Sequence, residues 1–177
     1  MFASDDSDTV LIEGLKSDDE NFVLHYAVDP ADTRLYGPLG NDAQVLADRP
    51  LTYNHHTFGV SPNRFLTDRG LAEMYTPTAI SYDTNGIPFV ASMESKAYPF
   101  FGVQFHPEKP QYSFFPTTKL DHSDDSIYYN RYFADFMVHQ ARQNANRFPT
   151  YAAEAGNVTE NWEVIATEGY YGPVFAF

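Results

Sequence analysis

"YPFFGVQFHPEK", residues 98–109, decides how this chain is read. Apolar and aromatic residues run without a polar break and then stop at His106-Pro107-Glu108. A run that is apolar on both alternating faces is expected to be a strand covered on both sides, as in α/β sheets. In such sheets, ligand sites gather at the carboxyl ends of strands, where this histidine falls. Glu108 lies two residues on, so a turn would bring its carboxylate to the imidazole Nδ1. That contact would fix the tautomer and leave Nε2 free to act as a base. A solvated strand-end histidine is the plainer alternative. A base of this kind commonly serves a thiol, yet the chain has no cysteine.

The rest of the composition narrows the field. At 177 residues the chain suits one domain with a sizeable core. Fifteen Phe, thirteen Tyr and one Trp supply large buried areas, which argues against disorder over the whole length. Twenty-four acidic residues against eleven basic ones give a formal net charge of −13. Nucleic acid and anionic membranes are poor partners for that field, and solubility alone accounts for the acidity. The lack of cysteine excludes disulfides, thiolate metal sites and an in-chain cysteine nucleophile. No stretch approaches the roughly 20 apolar residues of a membrane span. "MFASDDSD" has neither a basic nor an apolar leader region, so no signal peptide is expected in this chain. Asn157-Val158-Thr159 is a glycosylation sequon, meaningful only in a secretory context.

Along the chain, residues 1–9 read as a mobile acidic terminus and 21–28 as a strand. Asn41 or Asp42 is placed to cap a short helix that Pro50 stops. Residues 51–56 read as a strand running into a loop at "TFGVSPNRF". Residues 75–82 and 87–92 flank Asp83-Thr84-Asn85-Gly86, where an Asn-Gly pair is expected to supply the positive-φ positions of a hairpin. Residues 126–145 predict a helix with Tyr129, Phe133, Phe136, Met137 and Gln140/Ala141 on its buried stripe. The tail over 150–177 reads as irregular or extended, docked by aromatics such as those of "GYYGPVFAF".

A second polar cluster is Asn54-His55-His56. Adjacent histidines on a strand point to opposite faces, so one in a pocket and one at the surface is the economical arrangement. With no cysteine and only Glu108 to add, a zinc ligand set is lacking, and no metal or cofactor is expected. The chain has no GxSxG elbow, no GxxxxGK[ST] phosphate loop and no GxGxxG.

"YPFFGVQFHPEK" resembles the segment of class I glutamine amidotransferase domains in which a strand ends in His-Pro-Glu. More narrowly, it resembles the γ-glutamyl hydrolases, cysteine hydrolases that trim poly-γ-glutamate tails from folates. "YNHHTFGVSPNRF", "YDTNGIPFVASMES", "DHSDDSI", "ARQNANRF" and the final "VFAF" resemble further stretches of that family in the same order. The resemblance implies an α/β fold, the C-terminal part of a flavodoxin-like three-layer sandwich. It also implies a Cys-His-Glu triad with His106 and Glu108 as its last two members, and His56 with Asn54 on the substrate side. "MFASDD" resembles the segment just after the family's nucleophile elbow, so the thiol is expected on another, N-terminal polypeptide. The implied substrate is a poly-γ-glutamyl chain, and a homodimer is compatible with the resemblance. The implied location is lysosomal, vacuolar or secreted, with Asn157 glycosylated. A structural subunit without turnover is the alternative from another class. An ammonia-supplying amidotransferase fits the segments around His56 less well.

Overall fold

The computed structural model describes residues 3–165 and the backbone of Val174–Ala176. The chain divides into two compact units, Met1–Ala141 and Arg142–Phe177. In the larger unit, helix α1 (Ser7–Val10) leads into β1 (Leu11–Phe22), and β2 (His25–Tyr26) follows. Two 3-10 turns, Pro30–Asp32 and Gly37–Asp42, run into α2 (Ala43–Asp48). Then come β3 (Thr52–Val60), α3 (Pro62–Thr67), α4 (Arg69–Met74), β4 (Tyr75–Tyr82), β5 (Pro88–Ser95), β6 (Phe101–Val103), α5 (Lys109–Tyr112) and α6 (Asp124–Arg142). β1 and β3 form a ribbon, and a second sheet has the order β2-β4-β5-β6. The smaller unit holds α7 (Tyr151–Ala155) and the pair β7 (Glu163–Ile165) and β8 (Val174–Ala176). All these pairings are antiparallel. The architecture is α/β, as expected. No helix among the described residues is long and apolar enough to cross a membrane.

The hairpin forms where the sequence places it, but by another turn. Among its residues only Gly86 takes a positive φ, of 80°, whereas Asn85 does not. The Asp83 carboxylate replaces the second left-handed residue as organiser: Oδ1 accepts from Asn85 N (2.9 Å) and Ile87 N (2.8 Å). Oδ2 accepts from Lys16 N (2.8 Å), which ties the turn to β1. Burial pushes the Asp83 pKa up, but these three N–H donors outweigh it and hold it below its usual value.

Three strand expectations are corrected. β3 continues to Val60, because "TFGV" pairs with the start of β1, Leu11 opposite Val60. The strand expected over 21–28 breaks at Leu24, whose N–H turns to Leu46 O (2.8 Å), and only His25 and Tyr26 join β4. β6 is short and covered on one side: Phe101 and Phe105 pack into the core, while Tyr98, Phe100 and Val103 are 54%, 48% and 36% exposed. Past Val103 the backbone leaves β6 geometry: Gln104 N still reaches Ala91 O, but His106 N turns to Tyr53 O.

The core joins Leu15, Leu24, Tyr36, Leu46, Leu51 and Phe89 to Phe133 and Phe136 of α6. The buried face of α6 is Ser126, Asn130, Phe133 and Phe136. Met137 is 72% exposed, so the apolar stripe is offset from the expected one. The reason is Asn130, whose Nδ2 donates to Leu51 O (2.8 Å) and turns that face onto the start of β3. The N-terminal acidic residues meet Asp68, which accepts from Ser4 Oγ (2.6 Å) and Asp5 N (3.0 Å). The Ser4 hydroxyl and the Leu71 N–H hold the Asp68 pKa down to about 2. Of "GYYGPVFAF", only the backbone of Val174–Ala176 lies within the described residues.

Asp83→Ala leaves three N–H groups unpaired and is expected to cost about 2–4 kcal/mol, read as a lowered urea midpoint. Asp83→Asn should lose less, because its amide oxygen still accepts from Asn85 and Ile87.

Candidate functional site

His106 follows the buried Phe105 and is fixed by its own backbone, since His106 N donates to Tyr53 O at 2.8 Å. Pro107 and Glu108 form a tight turn, closed by Lys109 N on His106 O at 3.3 Å. That turn returns the Glu108 side chain onto the ring, with Oε1 2.9 Å from His106 Nδ1. The hydrogen bond from His106 lowers the Glu108 pKa, burial works against it, and Lys109 adds to the lowering. Glu108 is therefore ionised at neutral pH and fixes the ring with a proton on Nδ1. Nε2 has no hydrogen-bond partner among the described residues, and the His106 side chain is 36% exposed. A bound, oriented Nδ1 with an accessible Nε2 is the arrangement a general base requires.

β3 carries the second part of the site. Strand alternation sends Tyr53 and His55 to one face and Asn54 and His56 to the other. His55 is exposed and pairs with Asp18, its neighbour across the ribbon, at 2.9 Å. His56 is half buried, edge-on to the core ring of Phe89 at 5.0 Å. Its Nδ1 lies 2.8 Å from Phe58 O and 3.1 Å from Ser17 Oγ, and its Nε2 lies 3.0 Å from Asn54 Oδ1. Burial lowers the His56 pKa, the Phe58 carbonyl opposes this, and positive charge on His106 lowers it further. The two histidines are thus within electrostatic reach of one another.

Ser17, His56 and Asn54 have the connectivity of a nucleophile-base-orienter triad. Ser17 is nevertheless fully buried, and its hydroxyl donates to His56 O at 2.7 Å, so it has neither access nor a free proton. Asn54 is 1% exposed, and both ends of its amide are engaged within the chain. Sequence reasoning missed Ser17, which lies in an acidic run with no apolar alternation. It also missed Tyr53, which accepts the His106 N–H and lies under the Lys109 ammonium at 5.4 Å. Asn157 lies in the smaller unit, exposed, with Nδ2 donating to Ala153 O at 2.7 Å. Among the described residues, no group of three or more His, Asp or Glu is arranged to hold a metal ion.

No family model matches the chain. Individual proteins do. The chain is 36% identical over 108 residues to Gamma-glutamyl hydrolase B of Dictyostelium discoideum, a match covering 61% of this chain and 31% of that protein. It is 33% identical over 110 residues to the Gamma-glutamyl hydrolase of Homo sapiens, covering 62% and 34%. For Gamma-glutamyl hydrolase 2 of Arabidopsis thaliana, the identity is 33% over 109 residues, covering 62% and 29%. The chain thus spans about a third of the length of the curated relatives it matches. Over the part that matches, this chain is similar to γ-glutamyl hydrolases.

Proposed function

We propose that this chain supplies the base and its orienter to a cysteine hydrolase that cleaves γ-glutamyl bonds, with the thiol on another polypeptide. The observation that carries the proposal is the His106–Glu108 pair, 2.9 Å apart, with Nε2 left accessible. His106 Nε2 takes the thiol proton, and the thiolate attacks the γ-carbonyl carbon. The imidazolium, stabilised by Glu108, then gives that proton to the leaving amine as the C–N bond breaks. Water attacks the thioester with His106 as base, and the thiol is regenerated. His56 faces the substrate. Poly-γ-glutamates of folates are the substrate class this reading favours, and a lysosomal, vacuolar or secreted setting would agree with an exposed Asn157 sequon.

The completing polypeptide would meet the uncovered side of β6. That strand ends its sheet, and Tyr98, Phe100 and Val103 are exposed just before the chain reaches His106. An exposed aromatic edge next to a catalytic base is costly unless a partner covers it. The absence of any cysteine favours a second reading, a subunit that keeps the fold without turnover.

In the assembly of this chain with a thiol-bearing partner, His106→Ala should lower hydrolysis of a γ-glutamyl peptide by on the order of 10²–10⁴-fold. Unchanged turnover would remove the assignment and leave the subunit reading. Glu108→Gln should move the acid limb of the rate profile, because the carboxylate no longer supports the imidazolium. The Glu108 pKa is depressed in the fold, so its contribution is present above the ordinary glutamate range and lost as pH falls through the lowered value. Phe100→Asp with Tyr98→Asp should weaken capture of the thiol-bearing polypeptide at least about tenfold, with the unfolding midpoint of the free chain unchanged.

A further inference from the structure

Two of the polar atoms that meet the His56 ring, Phe58 O and Asn54 Oδ1, can only accept hydrogen bonds. Nδ1 faces Phe58 O at 2.8 Å and Ser17 Oγ at 3.1 Å, and the Ser17 hydroxyl makes its shorter hydrogen bond to His56 O, at 2.7 Å. Nε2 faces Asn54 Oδ1 at 3.0 Å. The Asn54 amide is not free to turn over and offer its NH2. Nδ2 donates to Thr52 O at 2.8 Å, and reversal would set two oxygens against each other there. A neutral imidazole has a single N–H, so it leaves one lone pair directed at an oxygen. Only the imidazolium donates at both nitrogens and satisfies the whole set.

We propose that Asn54 is a positioning residue: its amide oxygen takes Nε2–H of His56, which fixes the ring's orientation and favours its protonated form. The substrate contact expected of Asn54 therefore passes to His56, because Asn54 is 1% exposed. The chemical class that the ring attracts once protonated is a carboxylate, which every residue of a γ-glutamyl chain carries. That last step rests on the function proposed above; the state of the ring does not.

Without substrate the balance on the ring lies toward the neutral form, its pKa lowered, and it has identifiable contributors. Burial opposes its charge, as do His106 after β6 and His55 beside it on β3. Asp18 on β1 and the Phe58 carbonyl favour it. Asn54 is the contributor that a near-isosteric substitution removes without exposing the ring.

The test is long-range nitrogen–proton NMR on the full chain, following both His56 ring nitrogens from pH 5 to 8. The His56 signals are assigned by their loss in a His56→Gln variant. Asn54→Leu should lower the His56 pKa by about one unit, a tenfold change in proton affinity, and drive the neutral ring to the Nδ1–H tautomer on Phe58 O. An unchanged pKa and unchanged nitrogen shifts in a folded Asn54→Leu chain would overturn the proposal. Asn54→Asp keeps an acceptor oxygen in place and covers the case in which the leucine variant fails to fold. Its His56 pKa should equal or exceed that of the parent, and a lower value would also overturn the proposal. Addition of tetra-γ-glutamate should raise the His56 pKa of the parent chain. No rise would reject carboxylate recognition, and with it the substrate reading, while the Asn54 variants decide the positioning role by themselves.

Discussion

One backbone hydrogen bond organises the site: His106 N–H to Tyr53 O, 2.8 Å. It joins the residue after a buried phenylalanine to the start of β3, and so sets the His106–Glu108 turn against the strand that carries Asn54 and His56. Strand alternation then leaves little freedom. If residue 53 gives its carbonyl to His106, residues 54 and 56 share one face and residue 55 takes the other. A one-residue slip of β3 would exchange His55 for His56 and bury Asp18's partner. Register is therefore the constraint that the chemistry depends on.

That register is secured by irregularities in β1. The ladder between β1 and β3 shifts between Glu13 and Ser17, and again between Asp18 and Glu20. Gly14 and Asp19 take positive φ at these breaks, 77° and 55°. Asp19 is held in that conformation from outside: its Oδ1 accepts from Tyr53 OH at 2.8 Å and from Lys119 N at 2.9 Å. Bulges re-aim side chains, and these two bring Ser17 opposite His56 and Asp18 opposite His55. Asp83 fastens the same strand to the hairpin through Lys16 N.

What was legible in the sequence was short-range. The His106–Glu108 contact needs only a turn across Pro107, the hairpin needs only Gly86 between two β-rich runs, and α6 shows its period over five turns. What was hidden depends on distant partners. β1 holds "KSDDEN" and a glycine, so no alternation marks it as a strand, and its pairing with β3 decides its conformation. Asn54 reads as a polar residue beside two histidines, and only the fold reveals that it is enclosed. The stripe of α6 was misplaced because a buried asparagine, which reads as a surface residue, faces Leu51 O. The short β6 has the same origin: tertiary hydrogen bonds to Ala91 and Tyr53 draw the backbone away after Val103.

The two histidines are complementary in their hydrogen bonding. His106 has one nitrogen bound to a carboxylate and one accessible, whereas His56 has both nitrogens met by oxygens of the chain. Positive charge on His106 disfavours charge on His56. Glu108 stands 2.9 Å from His106 Nδ1 to stabilise a proton that Nε2 accepts. An anionic substrate group near His56 would weaken the repulsion at that same moment. Substrate binding and proton acceptance would thus be coupled through two rings, one on β3 and one in the turn after β6, with no moving part between them.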